Sequence, residues 1–379
     1  MDVEIVGGGF AGLACARAGA ARGLDTVVWE RKRDPGEAIH TTGLLVKEVA
    51  DEHDLPLEAT RKIRGIRLYG PSLRWVDLDA PGYFFLATDT AALLRHFARR
   101  AEDAGAELRC GEGSRGDRRG RILVGADGPR SRVARETGLG INRAFLAGVE
   151  VELEGVGHIE ERLHVFLDSA LAPGYIGWMV PGVGITQIGL ACRLPAHPNL
   201  DAFLARVATV ADLTRTREVG RRGGLIPVGG TVRPFASRDV VLVGDAAGLV
   251  SPLTGGGIHT ALRSGRAAGV AIAGHLLDGG PSPDRALAGA YPRSAAKRLL
   301  RAGPDLRPPN ALIDLALDSR SFRALAQTVF FHHRGLLTSA AWEDLLRSSG
   351  GASPASTHPT VARSGRSASV SAPGEGPAR

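Results

Sequence analysis

Cysteine is scarce in this sequence: three in 379 residues, Cys15, Cys110 and Cys192, lying far apart. That spacing supplies neither a disulfide framework nor a metal knuckle, so no metal site is expected and a reducing, cytoplasmic setting fits. Long apolar runs are missing too. None approaches the roughly 18–20 residues a membrane helix needs, although the apolar fraction, 44%, is that of a globular protein. Met1-Asp2 leads directly into an apolar strand with no basic stretch before it, so no signal peptide is expected. Basic stripes interleaved with aromatics are absent: the net charge is +7, but its arginines are scattered along the chain. This argues against a nucleic-acid partner. It leaves a solvated basic surface, with weak peripheral attraction to an anionic membrane or an anionic redox partner as the alternative. No internal repeat of solenoid period occurs. The length allows two or three domains with real cores.

Glycine, by contrast, is abundant, with 51 residues, and it is placed where it carries chemistry. Val240–Val243 reads as a strand that stops at Gly244-Asp245. A turn containing Pro252 follows, then Gly255, Gly256 and Gly257, then a helical pattern from Ile258. The acid can accept hydrogen bonds from hydroxyls. The bare N–H groups of the glycine run, helped by the helix dipole, suit an electron-rich group.

The N-terminus carries a matching element. Val3–Val6 reads as a buried strand, Gly7-Gly8-Gly9-Phe10-Ala11-Gly12 follows, and an Ala-rich helix runs to about Arg22. A second strand, Thr26–Trp29, ends at Glu30, with Arg31 next. This is G-x-G-x-x-G in its required setting. Gly7 makes the tight turn, Gly9 lets a pyrophosphate approach, Gly12 lets helix and strand pack, and Glu30 can accept ribose hydroxyls. A nicotinamide enzyme has little use for a second strand–acid–glycine constellation so far along the chain, whereas FAD has a ribityl chain and an isoalloxazine to hold. Between the two lies Val124-Gly125-Ala126-Asp127-Gly128-Pro129, a strand end whose Asp127 turn can approach from a third side.

These three segments resemble the group-two flavoprotein family built like para-hydroxybenzoate hydroxylase, over roughly residues 1–280. Within it the chain looks like the geranylgeranyl reductase branch. Gly224-Leu225-Ile226-Pro227, Pro252-Leu253-Thr254-Gly255 and Trp178-Met179-Val180-Pro181 carry that likeness. Ile176 and Val180 replace aromatics of the branch's signature. The resemblance implies a cofactor-holding Arg on the helix near Thr90; Arg95, about one turn on, is the candidate substitute. It also brings a segment after the second strand close to the flavin, here His40-Thr41-Thr42-Gly43 where relatives carry Cys-Ala-x-Gly. His40, Thr41 and Gly43 therefore join the cofactor set.

The implied architecture is α/β: a Rossmann-type FAD-binding domain (1–62, 88–140 and 236–280) interleaved with an antiparallel-sheet substrate domain (63–87 and 141–235). Short apolar runs at Ile66–Tyr69, Arg74–Leu78, Phe145–Glu154, Arg162–Leu167, Tyr175–Val180 and Ile185–Cys192, broken by Gly and Pro, supply the sheet. Thr90–Ala104 reads as a helix. Residues 281–348 read as a C-terminal helical region. There Phe322, Leu325, Val329 and Phe330 form a stripe that packs on the body or faces lipid. Residues 349–379 read as a disordered tail.

FAD would carry the redox chemistry, with NAD(P)H or another reductant as donor. The expected reaction is reduction of a carbon–carbon double bond in an isoprenoid or other apolar substrate. A monooxygenase and a non-redox cyclase or isomerase remain as alternatives. His40 is the candidate proton donor or gate, or else a surface histidine. Trp178 is a wall over the ring, or else a core aromatic. His259 faces flavin or solvent, and Cys192 is a small core residue.

Overall fold

The apolar run Val3–Val6 forms β1, buried between two parallel neighbours, and the other elements assemble outward from it. The computed structural model describes residues 1–114, 119–291, 299, 301–303 and 305–332; the tail and the end of the helical region expected from sequence lie outside the described residues. After β1 come β2 (Thr26–Glu30), β3 (Leu44–Val46), β4 (Thr60–Ile63), β5 (Ile66–Tyr69), β6 (Trp75–Leu78), β7 (Phe85–Thr88) and β8 (Glu107–Cys110). Then follow β9 (Ile122–Gly125), β10 (Phe145–Glu154), β11 (Leu163–Phe166), β12 (Gly177–Pro181), β13 (Thr186–Arg193), β14 (Arg217–Pro227) and β15 (Val240–Leu242). The helices are α1 (Phe10–Ala20), α2 (Lys47–Glu52), α3 (Thr90–Glu102), α4 (Arg132–Glu136), α5 (Leu200–Val207), α6 (Ile258–Asp278), α7 (Pro283–Leu287), α8 (Asn310–Asp318) and α9 (Arg320–Gln327).

The first sheet has the order β15-β9-β1-β2-β8, parallel throughout. Such a sheet must be covered on both faces, and its strands are apolar runs. Helices α1 and α6 lie against each other, with Gly265 and Gly269 of α6 set on the backbone of α1. A Cβ at Gly269 would come within 2.6 Å of the Cys15 carbonyl oxygen, and one at Gly265 would collide with the Ala11 carbonyl. Small residues thus let the two helices approach closely, and both helices start at the same edge of the sheet.

The second sheet has the order β14-β10-β13-β12-β11-β5-β6. Its alternation assigns the faces. Val151, Leu153, Met179, Ile188 and Leu190 pack with Leu200, Phe203 and Val207 of α5, which leaves Gly148, Glu150 and Trp178 on the other face. The sheet departs from the expected antiparallel pattern at one seam, because β5 and β11 pair in parallel. A third sheet, β3-β7-β4, bridges the two. Strand β14 is not anticipated from sequence: only its last residue is buried, and Arg217-Glu-Val-Gly-Arg-Arg-Gly-Gly lacks the apolar alternation of a half-buried strand. The C-terminal stripe packs in part as expected. Phe322 and Phe330 lie on the core with buried Ala326 and Phe331, whereas Leu325 stays 51% exposed, and α9 gives way to a wider turn over Thr328–His332.

Candidate functional site

A cavity of about 690 Å³ lies between the ends of the parallel strands, the glycine-rich face of the second sheet and the segment 39–46. Gly9, Phe10 and Ala11 stand on its wall, as do Asp127 and Gly128, Asp245, Gly255, Gly256, Gly257 and Ile258. Arg31, His40, Thr41 and Trp178 line it as well. Three turns that are distant in sequence therefore face one space.

Each turn has a local cause. Gly7 takes φ +109°, and a side chain there would collide with the Ala126 carbonyl, so only glycine lets β1 and β9 end side by side. Neither α1 nor α6 has a side-chain cap at its start; Gly9 and Gly257 occupy those places and leave the first N–H groups free. Asp127 caps α4: its Oδ2 accepts from the backbone N–H of Arg132 at 2.6 Å and of Val133 at 3.1 Å. Its buried Oδ1 has no partner among the described residues. Asp245 sits in the turn Gly244–Ala247 after β15. Among the described residues no cation neighbours its carboxyl, and desolvation pushes the pKa up to about 6. Asn142 ties two of the turns together, with Nδ2 donating to the carbonyls of Asp245 at 2.8 Å and Pro129 at 3.0 Å.

Glu30, Gly7, Gly12, Gly43, Gly244, Pro252 and Arg95 stand outside this wall. Glu30 works from behind. Its Oε2 accepts from Gly8 N–H at 2.7 Å and its Oε1 from Lys32 N–H at 2.9 Å, so it fixes the glycine loop. Gly244 donates its N–H to the Ser264 hydroxyl at 3.0 Å beside Ala11. Gly43 packs on Thr88 and Thr90, and Pro252 is buried. Arg95 turns away: its Nε donates to Asp34 at 2.7 Å. Five residues past Thr90 is about 140° around a helix, so Arg95 cannot occupy the direction of Thr90, which is fully buried. His259 also leaves the cavity and meets Glu52 at 3.1 Å. Cys192 is buried, and its thiol is pushed up to about 11 by that burial.

Two side chains that hold this wall in place, Arg222 and Gln187, carried no sequence signal. Arg222 Nη1 donates to the Thr41 carbonyl at 2.8 Å, and Gln187 Nε2 to the Thr42 carbonyl at 2.8 Å. His40 Nδ1 lies 3.0 Å from the Gly223 carbonyl. The segment 40–42 is thus fastened to the second sheet. Tyr175 donates its hydroxyl to the Thr254 carbonyl, fixing the loop before Gly255. Trp178 is more than an apolar wall: its Nε1–H donates to Glu150 Oε2 at 2.7 Å. Lys32 and Arg130 add positive charge to the wall, and Val46, Phe85, Leu163, Ile176, Val180 and Phe330 supply an apolar part. Among the described residues no group of histidines, cysteines and acids could hold a metal ion.

The partnerless Asp127 oxygen, the cation-free Asp245 carboxyl and two uncapped helix starts form a set of acceptors and donors that fits a nucleotide with both hydroxyls and phosphates. Comparison with known proteins agrees. Residues 2–115 match the family described as FAD dependent oxidoreductase. Digeranylgeranylglycerophospholipid reductase 2 of Methanosphaera stadtmanae is 28% identical, the match covering 73% of this chain and 79% of that one. The chloroplastic geranylgeranyl diphosphate reductase of Oryza sativa subsp. japonica is 31% identical over 74% and 68%. Menaquinone reductase of Mycobacterium tuberculosis is 31% identical over 78% and 80%. Among solved structures, a geranylgeranyl bacteriochlorophyll reductase-like protein of Thermoplasma acidophilum superposes with a TM-score of 0.76 at 21% identity, over 91% of this chain and 98% of that one. A variant of halogenase PltM in complex with FAD has the same fold, with a TM-score of 0.62 at 12% identity over 92% and 90%. Sequence likeness at this level over most of both chains makes the protein an FAD-dependent oxidoreductase enzyme, a member of the geranylgeranyl reductase-like branch of the group-two flavoproteins.

Proposed function

We propose that this enzyme reduces a carbon–carbon double bond of an isoprenoid or other long apolar substrate. The observation that carries this is the continuity of the cavity: the turns of Asp127, Asp245 and Gly255–Gly257 run without a break into the apolar pocket of Phe85, Leu163, Val180 and Phe330. Bound FAD, reduced by NAD(P)H or another two-electron donor, supplies hydride there. Gly9, Ala11 and Asp127 would hold the phosphate and ribose end, and Asp245 the ribityl hydroxyls. The N–H groups of Gly256, Gly257 and Ile258 would face the ring edge, where negative charge gathers on reduction. The apolar walls exclude water and orient a chain-like substrate.

The reading is tested anaerobically with dithionite-reduced holoprotein and geranylgeraniol. The product should gain two hydrogens per saturated bond while the oxidised flavin spectrum returns. Unchanged geranylgeraniol beside a fully reduced flavin rejects the reading, and a hydroxylated product appearing only in air points to a monooxygenase.

No helix among the described residues is long and apolar enough to cross a membrane. Exposed Leu312 and Leu315 of α8, whose Leu317 shares a core cluster with Phe330 of the cavity wall, and the positive net charge support weak peripheral contact with anionic bilayers. The protein should float with phosphatidylserine vesicles at low salt and be released at high salt. Equal flotation with neutral vesicles counts against an electrostatic contact.

A further inference from the structure

On one face of the second sheet a row of polar side chains runs across four strands, flanked by Glu152 and Gln187. Registers place Arg222 of β14 opposite Glu150 of β10, Glu150 opposite Gly189 of β13, and Gly189 opposite Trp178 of β12. Gly189 is the gap in this row. A Cβ there would lie 2.7 Å from the Trp178 ring, so the missing side chain lets the indole cross β13 and reach Glu150. Glu150 is 3% exposed, yet it belongs to the cavity wall.

The charges around it are unbalanced. Arg222 is spent on Glu152, with which it forms an ion pair, and on the Thr41 carbonyl. Gln187, Trp178 and Thr42, which approach from β13, β12 and the covering segment, are neutral. His40 is the other titratable side chain on that segment. Glu150 Oε2 accepts from Trp178, and the Thr42 hydroxyl faces the same carboxyl. Among the described residues Oε1 is buried with no partner, and so is Oε1 of Gln187, its diagonal neighbour on the same face. A buried acceptor without a donor is costly. A proton on Glu150 removes the charge and the need for a donor at its own Oε1. Desolvation raises the Glu150 pKa in the same direction, against the smaller opposing effects of Thr42, Trp178 and Arg222 and with the help of Glu152.

We propose that Glu150, kept neutral by this row and opening on the cavity through Thr42, is the proton source of the reduction. The proposal rests on the double-bond reading above. In the balanced step the π bond breaks, and one carbon takes the hydride that reduced FAD supplies. The other carbon takes a proton from the Thr42 hydroxyl, which is replenished from Glu150. Glu150 is left as carboxylate and recovers its proton from water. A neutral carboxyl in an apolar site is a competent acid at neutral pH, and Trp178 positions it.

The test has two arms. In the first, the infrared spectrum of wild-type holoprotein minus that of Glu150→Gln at neutral pH should show the carbonyl band of a protonated carboxyl; an ionised-carboxylate band in its place overturns the proposal, whatever the substrate. In the second, Glu150→Gln should keep its FAD content and reduce with dithionite as wild type does, yet saturate geranylgeraniol about a hundredfold more slowly. Wild-type turnover should fall as pH rises through the Glu150 pKa. The residual rate of the Gln variant should be flat with pH, and Glu150→Asp should recover part of the rate. A Gln variant with wild-type rate and pH profile overturns the proposal and leaves the reductase reading intact. Wild-type protein that leaves geranylgeraniol unreduced removes both.

Discussion

Replacing Asp245 by Asn is expected to give a protein that folds more stably than wild type without cofactor and yet purifies with little FAD. The two effects share one cause. In the unfolded chain the carboxyl has its ordinary pKa near 3.8; in the folded site it rises to about 6, because it is buried without a cation. A raised carboxyl pKa contributes stability below the unfolded value and loses it as pH climbs through the folded value. Above pH 6 the apoprotein therefore carries an ionised, underpaired carboxylate, a penalty on the order of 2–3 kcal/mol. Asn removes the charge and the penalty. Hydroxyls of a bound ribityl chain would donate to the charged form, and charged hydrogen bonds are worth about 1.5–3 kcal/mol each. FAD should therefore bind wild-type protein more tightly as pH rises from about 5 to 7, by up to tenfold per unit, and release a proton in the converse titration. In the Asn variant binding should be weak, by about tenfold to a hundredfold, and nearly independent of pH. Calorimetry at pH 5, 6 and 7 measures both. A variant that binds FAD as wild type does, with the same pH slope, would show that Asp245 faces something other than the cofactor.

The motifs were legible because their physics is local. A strand, a glycine with positive φ and an uncapped helix start follow one another within a short stretch at Gly7–Gly12 and again at Gly244–Ile258. No tertiary contact is needed to see them. Arg222, Gln187 and Glu150 were hidden for the opposite reason. Their meeting with Thr41, Thr42 and Trp178 depends on the register of four strands, and a one-residue slip would send each to the α5 face. Strand β14 carries no alternation from which to infer that register. Arg95 was placed by distance along the helix, whereas its direction around α3 decides what it touches, and that direction meets Asp34. For Trp178 the sequence leaves a wall over the ring and a core aromatic both open, because the partner of its one polar atom emerges only once Gly189 lies between it and Glu150.

The closeness of α1 and α6 holds the site together, and Gly265→Ala should take it apart. Both helices begin on the cavity wall, at Phe10 and Ile258, and Gly265 lies two turns into α6 against the Ala11 backbone. Two effects of the substitution oppose each other. Alanine in a helix interior gains up to about 1 kcal/mol over glycine. At this position the new Cβ would collide with the Ala11 carbonyl oxygen and lie 2.9 Å from its carbon, and a backbone carbonyl inside α1 cannot swing aside. Forced separation of packed elements costs roughly 1–3 kcal/mol, and more where backbone must move. The clash should therefore win, lowering the melting temperature and moving the Gly256–Ile258 turn away from Gly9–Ala11, so that FAD content falls as well. Gly274, in the same helix, has open space where its Cβ would stand. Gly274→Ala isolates the propensity gain and should raise the melting temperature with FAD content unchanged. The contrast between the two alanines, read by thermal unfolding and by the flavin absorbance of the purified proteins, decides the matter. If both variants stabilise the protein and both keep their flavin, the helix contact is looser than this geometry requires, and the two glycine-rich turns are held in place by Ser264 and Asn142 instead.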